Sequence, residues 1–255
     1  MDSILTEIDA WILVLVLAAA MSAAWGLGWW LGTRLRARHP EWEGSKFDDA
    51  SLAFVGLLLA FTFGMSLAKH DHRRDMVVAD SNAIGDFYTC TRMIKEPVRT
   101  KLQTIIREYL VLRVEMGRKR IDHAALEEAM QRSQQMQAQM TDLAAEAVNE
   151  GTPIAVPLTN TLNDLTSNHS ARLAAARDRL PASIVLLLLV SAIMSTMLVG
   201  REQGLAGRIE VAGTLTYILL VTLAVYVTLD LNQPQIGMVT VSQEPLQRLL
   251  SSMPR

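Results

Sequence analysis

The sequence predicts an all-α, polytopic membrane protein with four transmembrane helices and an extramembranous helical bundle inserted between spans 2 and 3. Three observations carry that prediction. Half of the residues are hydrophobic, and they are not spread evenly but bunched into four runs: residues 10–32, 50–68, 181–200 and 211–229. None of these runs contains Asp, Glu, Lys, Arg or His. Each has about the 20 residues that a helix rising ~1.5 Å per residue needs to cross a hydrocarbon core roughly 30 Å thick.

The first run could be read as a cleaved signal peptide, since Ala20, Ser22 and Ala24 loosely imitate a cleavage site. A signal peptide begins with positive charge, however, whereas the stretch before this run offers Asp2, Glu7 and Asp9 and no Lys or Arg. The run is therefore expected to stay as a span. Trp11 near one end and Trp29 and Trp30 near the other lie about 27 Å apart along a helix, which suits an aromatic residue at each headgroup layer.

The second run is the most patterned. Gly56, Ala60, Gly64 and Ala68 recur every fourth residue with Ala53 three ahead of them, a ridge of small side chains that lets another helix approach closely. Phe54, Leu58, Phe61 and Met65 gather on a separate face. Bulky apolar stripes are the rule on any span, so packing or lipid contact is the ordinary reading of that face. Pore lining is the sharper one. Nothing breaks the helix at Ala68, so the span should run on as one rod from about Ala50 to Met93, where Pro97 ends it.

Residues 69–180 contain 16 Lys plus Arg and 15 Asp plus Glu and no long apolar run, which marks a water-facing domain. Its apolar residues return at helical spacing: Val77, Ile84 and Tyr88, then Leu102, Ile105, Ile106, Tyr109 and Leu112, then Leu126, Met130, Met136, Met140 and Leu143, then Leu158, Leu162, Leu165, Leu173 and Leu180. The glutamines of 131–140 keep that rhythm, so they read as a solvated helix face and not as low complexity. Pro181 stands at the junction with the third run, where the first turn of a helix tolerates proline. Residues 230–255 form a C-terminal tail.

Net charge near zero excludes a polybasic nucleic-acid binder, and the lone Cys90 excludes a disulfide framework. There is no phosphate-cradling glycine loop, no His-Glu-x-x-His, no nucleophile elbow and no cysteine pair. No catalytic residue, metal site or cofactor is therefore expected, and the chain does not read as an enzyme. The absence of ionisable groups from the spans also argues against proton relays and ion-coupled transport, which place charge inside the bilayer. At the end of the second run stands Lys69-His70-Asp71-His72-Arg73-Arg74-Asp75. It reads as an interfacial anchor, or alternatively as an electropositive collar built on Arg73 and Arg74. Asp71 can pair with Arg74, and Asp75 with His72, at helical spacing.

The stretch Ala60 to Tyr88, the Leu180-Pro181 junction and the segment Leu229 to Leu246 resemble the bacterial bestrophin-like family. Its most recognisable pieces here are Asp71, Arg73, Arg74 and Asn82, followed after the fourth span by Asp230, Pro234 and Gly237. The resemblance implies similarity to bestrophins: pentameric anion channels with four spans, a cytosolic helical region between the second and third, and a second span that lines a narrow apolar neck. On that analogy Phe54, Leu58, Phe61 and Met65 become candidate pore lining, and the implied partners are the lipid bilayer, further copies of the chain and an anion. The implied location is a bacterial inner membrane. The competing expectation is a non-conducting scaffold or sensor whose helical domain binds a protein partner. Orientation stays open in the residues. Arg34, Arg36, Arg38, Lys46, Arg201 and Arg208 in the short loops favour a cytoplasmic position for those loops, whereas Lys69, Arg73, Arg74, Arg172, Arg177 and Arg179 flank the other side of the spans and the resemblance favours a cytoplasmic helical domain.

Overall fold

In a computed structural model that describes residues 10–38, 46–118, 123–233 and 238–254, the chain is helical throughout, and no strand occurs among the described residues. Eight helices are present there: α1 (Ala10–Arg38), α2 (Lys46–Thr91), α3 (Val98–Arg118), α4 (His123–Asn149), α5 (Ala155–Arg177), α6 (Ala182–Ala206), α7 (Val211–Leu231) and α8 (Glu244–Ser252). Four stretches are long and apolar enough to cross a membrane, carried by α1, α2, α6 and α7. The chain is a multi-pass membrane protein. It divides into two compact units, Met1–Lys69 with Arg179–Val239, and His70–Asp178 with Thr240–Arg255.

The first unit holds α1, the beginning of α2, α6 and α7. Its apolar core is built from Leu17 and Met21 of α1, Val185, Leu188 and Ala192 of α6, and Ile218, Val221 and Val225 of α7. Hydrocarbon surrounds such helices as readily as it surrounds Leu, so apolar burial does not by itself drive their association, and close packing must. Four glycines supply it. Gly28 and Gly32 of α1 face Gly200 and Gly204 of α6, four residues apart in each helix. A methyl group on Gly28 or Gly32 would overlap the backbone carbonyl of Met197 or Arg201. On Gly200 or Gly204 it would overlap that of Trp25 or Trp29. The two backbones therefore touch, glycine Cα–H groups against carbonyl oxygens, a weak contact repeated on both helices.

Polar side chains finish this unit. Ser195 Oγ and the Tyr217 hydroxyl lie 2.8 Å apart and tie α6 to α7. Trp25 Nε1 donates to Gln203 Oε1 at 3.1 Å, and Gln203 Nε2 donates to Thr214 Oγ1 at 2.8 Å, so one glutamine joins α1, α6 and α7. Gly207 ends α6 in the left-handed conformation at φ 69°, which an L side chain adopts only under strain. Asn232 Oδ1 accepts from the Leu180 amide at 2.8 Å, binding the exit of α7 to the chain just before α6.

The second unit is a bundle of α3, α4, α5 and the end of α2, closed by α8. Ile84 and Phe87, Leu102, Ile106 and Tyr109, Met136 and Met140, and Leu158, Leu162 and Leu165 interlock in its core. Most of the helical spacing read from residues 69–180 corresponds to buried faces, while Tyr88, Ile105, Leu112 and Leu143 are half-buried against that core and Leu126, Met130 and Leu173 are half-buried. The helix expected from Ala50 to Met93 is present as one element, Lys46–Thr91. Leu180 departs from the pattern: it stands at the end of the α5 spacing but is buried in the core of the first unit. The last segment of the chain belongs to the second unit. Leu246 is fully buried, Leu249 lies against Gly85, and Arg107 donates to the Met253 and Pro254 carbonyls at 3.2 and 2.6 Å.

Replacing Gly200 or Gly204 by Leu should force α1 and α6 apart and cost on the order of 3 kcal/mol, the upper end of overpacking penalties. The check is the thermal midpoint of the detergent-purified protein, with Gly26→Leu as control, because a Cβ on Gly26 meets nothing within 4 Å.

Candidate functional site

Two places carry the residues of interest: the outer surface of α2 in the first unit and a buried polar cluster in the second.

Along α2 the side chains facing the unit's own interior are Val55, Thr62 and Ser66. Thr62 Oγ1 is satisfied by the Leu58 and Leu59 carbonyls at 2.9 and 3.0 Å, while Ser66 Oγ is buried without a partner. The small-residue ridge lies elsewhere. Ala53, Gly56, Ala60, Gly64 and Ala68 are all exposed, and a Cβ on Gly56 or Gly64 would meet nothing within 4 Å. The ridge is therefore not the surface by which α2 meets its own chain. The bulky face splits. Leu58 and Met65 are half-buried against the aliphatic core, whereas Phe54 and Phe61 are 54% and 64% exposed. Phe54 lies at the edge of an open groove of about 380 Å³, bounded by Ala50 and Val55 on α2 and by Val190, Met194 and Leu198 on α6.

The charged run after α2's apolar stretch is not uniform. Asp71, Arg74 and Asn82 are exposed. Arg73 is buried, its Nε donating to the Ala175 carbonyl at 3.2 Å and its Nη2 to the Asp178 carbonyl at 2.6 Å. These carbonyls close α5, so Arg73 places a cation on the negative end of that helix and satisfies groups the helix leaves bare. Of the two arginines proposed as a collar, only Arg74 presents its charge to solvent. No ion pair joins Asp71 to Arg74 or Asp75 to His72 among the described residues.

Asp230 of the tail motif is also structural in its contacts. It is buried, and its carboxylate accepts from the Met238 amide at 3.0 and 3.1 Å and from the Val239 amide at 2.9 Å. It thereby pins the chain that follows α7. Pro234 and Gly237 lie outside the described residues.

The second place was not foreseen from sequence. Asp80 of α2 is fully buried, and its Oδ2 accepts from Arg113 Nη2 of α3 and Arg172 Nη1 of α5, each at 2.7 Å. Arg172 Nη2 donates to Gln243 Oε1 at 2.7 Å, and Gly117 leaves the space that the Gln243 side chain occupies. One carboxylate thus joins α2, α3, α5 and the segment leading into α8. Two guanidiniums on one carboxylate leave this buried group with net positive charge. Burial first, and then Arg113, hold the Arg172 guanidinium below its ordinary pKa. Asp80 Oδ1 and Arg113 Nε are buried with no hydrogen-bond partner.

Beside the clamp, Gln137 Nε2 of α4 donates to the Tyr109 hydroxyl at 3.1 Å, and that hydroxyl lies 3.1 Å from His169 Nδ1. Burial raises the Tyr109 pKa and lowers that of His169 to about 4, with Arg113 adding to the second effect. Among the described residues no group of three His, Cys, Asp or Glu side chains is placed to hold a metal ion. A polar residue on a helix whose neighbours fall at core spacing was the available signal: Asp80 stands between Val77 and Ile84, and Arg113 between Tyr109 and Val114.

Asp80→Asn should leave two buried guanidiniums without a counter-charge and destabilise the second unit by about 3–5 kcal/mol, as the breaking of buried ion pairs does. Arg73→Met should cost less, about 1–3 kcal/mol, by stripping the α5 carbonyls of their donor. Hydrogen exchange resolved by segment measures both; equal protection of α5 in wild type and in Arg73→Met contradicts the capping role.

A family model described as Bestrophin-like domain matches residues 14–246. No curated protein matches the chain, and neither does any solved structure.

Proposed function

Because the chain belongs to the Bestrophin-like domain family, we propose that it acts as an oligomeric anion-permeable channel of a bacterial inner membrane, with α2 bordering the permeation path. The observation that supports this most is the outer surface of α2. Two large aromatics, Phe54 and Phe61, and a continuous small-residue ridge, Ala53, Gly56, Ala60, Gly64 and Ala68, are left uncovered by the rest of the chain. In an assembly the ridge takes a neighbouring copy's helix at close range, and Phe61 turns toward the axis as part of an apolar neck that passes ions by partial dewetting. Leu58 and Met65 flank that neck from their half-buried positions. In this reading His70–Asp178 and the C-terminal segment form the extramembranous bundle between spans 2 and 3, placed in the cytoplasm by analogy with bestrophins. The spans hold no group that binds or stores an ion tightly, which suits conduction and not coupled transport.

A second reading is favoured by one observation, the clamp on Asp80. It ties the C-terminal segment to three helices, the kind of fastening a scaffold or sensor uses to hold a partner-binding bundle in one state.

The two readings separate in liposomes. The purified full-length protein should release chloride down its gradient, and Phe61→Ala should raise that flux several-fold by widening the apolar constriction. Gly64→Leu should leave the monomer folded, since open space surrounds Gly64, but abolish the oligomer and the flux together. A folded wild-type oligomer that passes no anion removes the channel and leaves the scaffold.

A further inference from the structure

Residues 69–180 are close to neutral as a whole, with 16 Lys plus Arg against 15 Asp plus Glu, but the two signs are not mixed. No Lys or Arg occurs from Ser133 to Ala171, a stretch that carries Asp142, Glu146, Glu150 and Asp164. All four acids are exposed. Asp142, Glu146 and Glu150 follow one another at four-residue spacing along α4 and its last turn, so like charges stand side by side on one stripe and weaken the helix. A helix face that meets only water ordinarily intersperses the two signs.

The opposite charge is gathered at the corner between α2 and α3, where Arg92, Lys95, Arg99 and Lys101 stand with Glu96 as the one acid. Glu96 is already engaged: its carboxylate accepts from the Thr100 amide at 3.2 Å and from the Thr100 hydroxyl at 2.8 Å, and it lies 3.4 Å from Arg99 Nε. Arg92, Lys95 and Lys101 are exposed, and among the described residues no ion pair joins them, or the four acids, to any partner. Each patch also holds an uncovered apolar side chain: Met93, 63% exposed, between Arg92 and Lys95, and Val156, 70% exposed, at the start of α5. An apolar centre with a charged rim is the anatomy of a protein interface. α3 and α4 are antiparallel neighbours tied at Tyr109 and Gln137, so the basic corner and the acidic end of α4 share one end of the unit.

We propose that the acidic α4–α5 surface of one copy docks on the basic α2–α3 corner of the next. The occupant is a second copy because one chain carries both halves of the contact, opposite in sign and at the same end of the helical unit. Two different patches meet, so the contact is heterologous and repeats head to tail until the ring closes. It rests on the assembly proposed through α2 but not on conduction. Complementary charge of this kind acts mainly on partner choice and register, which gives the helical unit the task of ordering the copies around the axis.

The test mixes ¹⁴N and ¹⁵N copies of the full-length protein in detergent, reconstitutes them in nanodiscs and adds a carbodiimide, which joins a lysine amine to a carboxylate in contact with it. Mixed-label peptides found by mass spectrometry should link Lys95 or Lys101 of one copy to Glu146 or Glu150 of another. Reversing the acids with Glu146→Lys and Glu150→Lys should raise the concentration at which the oligomer dissociates about tenfold, and adding Lys95→Glu and Lys101→Glu to the same chain should bring it back. All four side chains are exposed, so the reversals leave the core of the unit untouched. Mixed-label links at other positions only overturn this contact and leave the assembly through α2, whereas a wild-type protein that stays monomeric overturns both. Links to a co-purified basic protein in place of a second copy also overturn it, as does a combined variant that does not recover. Should the reversed variants fail to fold, the link map of the wild-type protein decides alone.

Discussion

Inside hydrocarbon every backbone polar group must be satisfied within its own helix, and no charge can be hidden at modest cost. This chain obeys the constraint by keeping its four apolar runs free of ionisable residues. The consequence reaches beyond the spans. With little hydrophobic force between apolar helices in lipid, α1 and α6 are held chiefly by close backbone approach, and only glycine permits the distance they adopt. The few polar bonds of the unit sit where a single side chain can bridge helices, as Gln203 does between Trp25 and Thr214.

The second unit works under the opposite rule. Its core can exclude water from charged groups because it surrounds them with partners, and Asp80 is the centre of that arrangement. A buried ion pair rarely adds net stability over a well-packed apolar core, since desolvation offsets the attraction, but removing one partner is costly. The value of the clamp lies in specificity: it admits one relative arrangement of α2, α3, α5 and the C-terminal segment. Gln243 fits that role because a neutral amide can accept from Arg172 without completing its neutralisation.

How much of this was legible in the sequence differed by kind of residue. The spans were readable because a run without charge is a property of consecutive positions. The bundle faces were readable because Leu102, Ile106 and Tyr109, or Leu158, Leu162 and Leu165, repeat at helical spacing. The Gly28–Gly32 and Gly200–Gly204 pairs carry the same four-residue spacing but give a weaker signal in the sequence. Gly204 lies beyond the end of the charge-free run, past Arg201 and Glu202, and four-residue spacing in α2 was the more conspicuous pattern. The Asp80 clamp could not be read at all. Its members are 33 and 92 residues apart along the chain; core spacing around Asp80 and Arg113 hints that each is buried, but nothing local pairs them with each other or with Arg172. Arg73 shows the same limit in miniature: adjacent to Arg74 and chemically identical, it is buried because the end of α5 happens to meet it.

Two sets of small residues now have different meanings. Where glycines of α1 and α6 face each other, the small side chains are consumed within the chain, and their spacing is explained by the carbonyls they admit. On α2 an equally regular series admits no close neighbour among the described residues at Gly56 and Gly64. Small residues on a lipid-facing surface give up side-chain contacts with acyl chains and bring no compensating gain in helix propensity where they are glycine. Gly56 and Gly64 therefore carry a cost in the isolated chain that a neighbouring helix would offset, while the large Phe54 and Phe61 on the adjoining surface already make full use of lipid or of an aperture. That asymmetry, more than the apolar character of the span, is what supports the proposed assembly through α2.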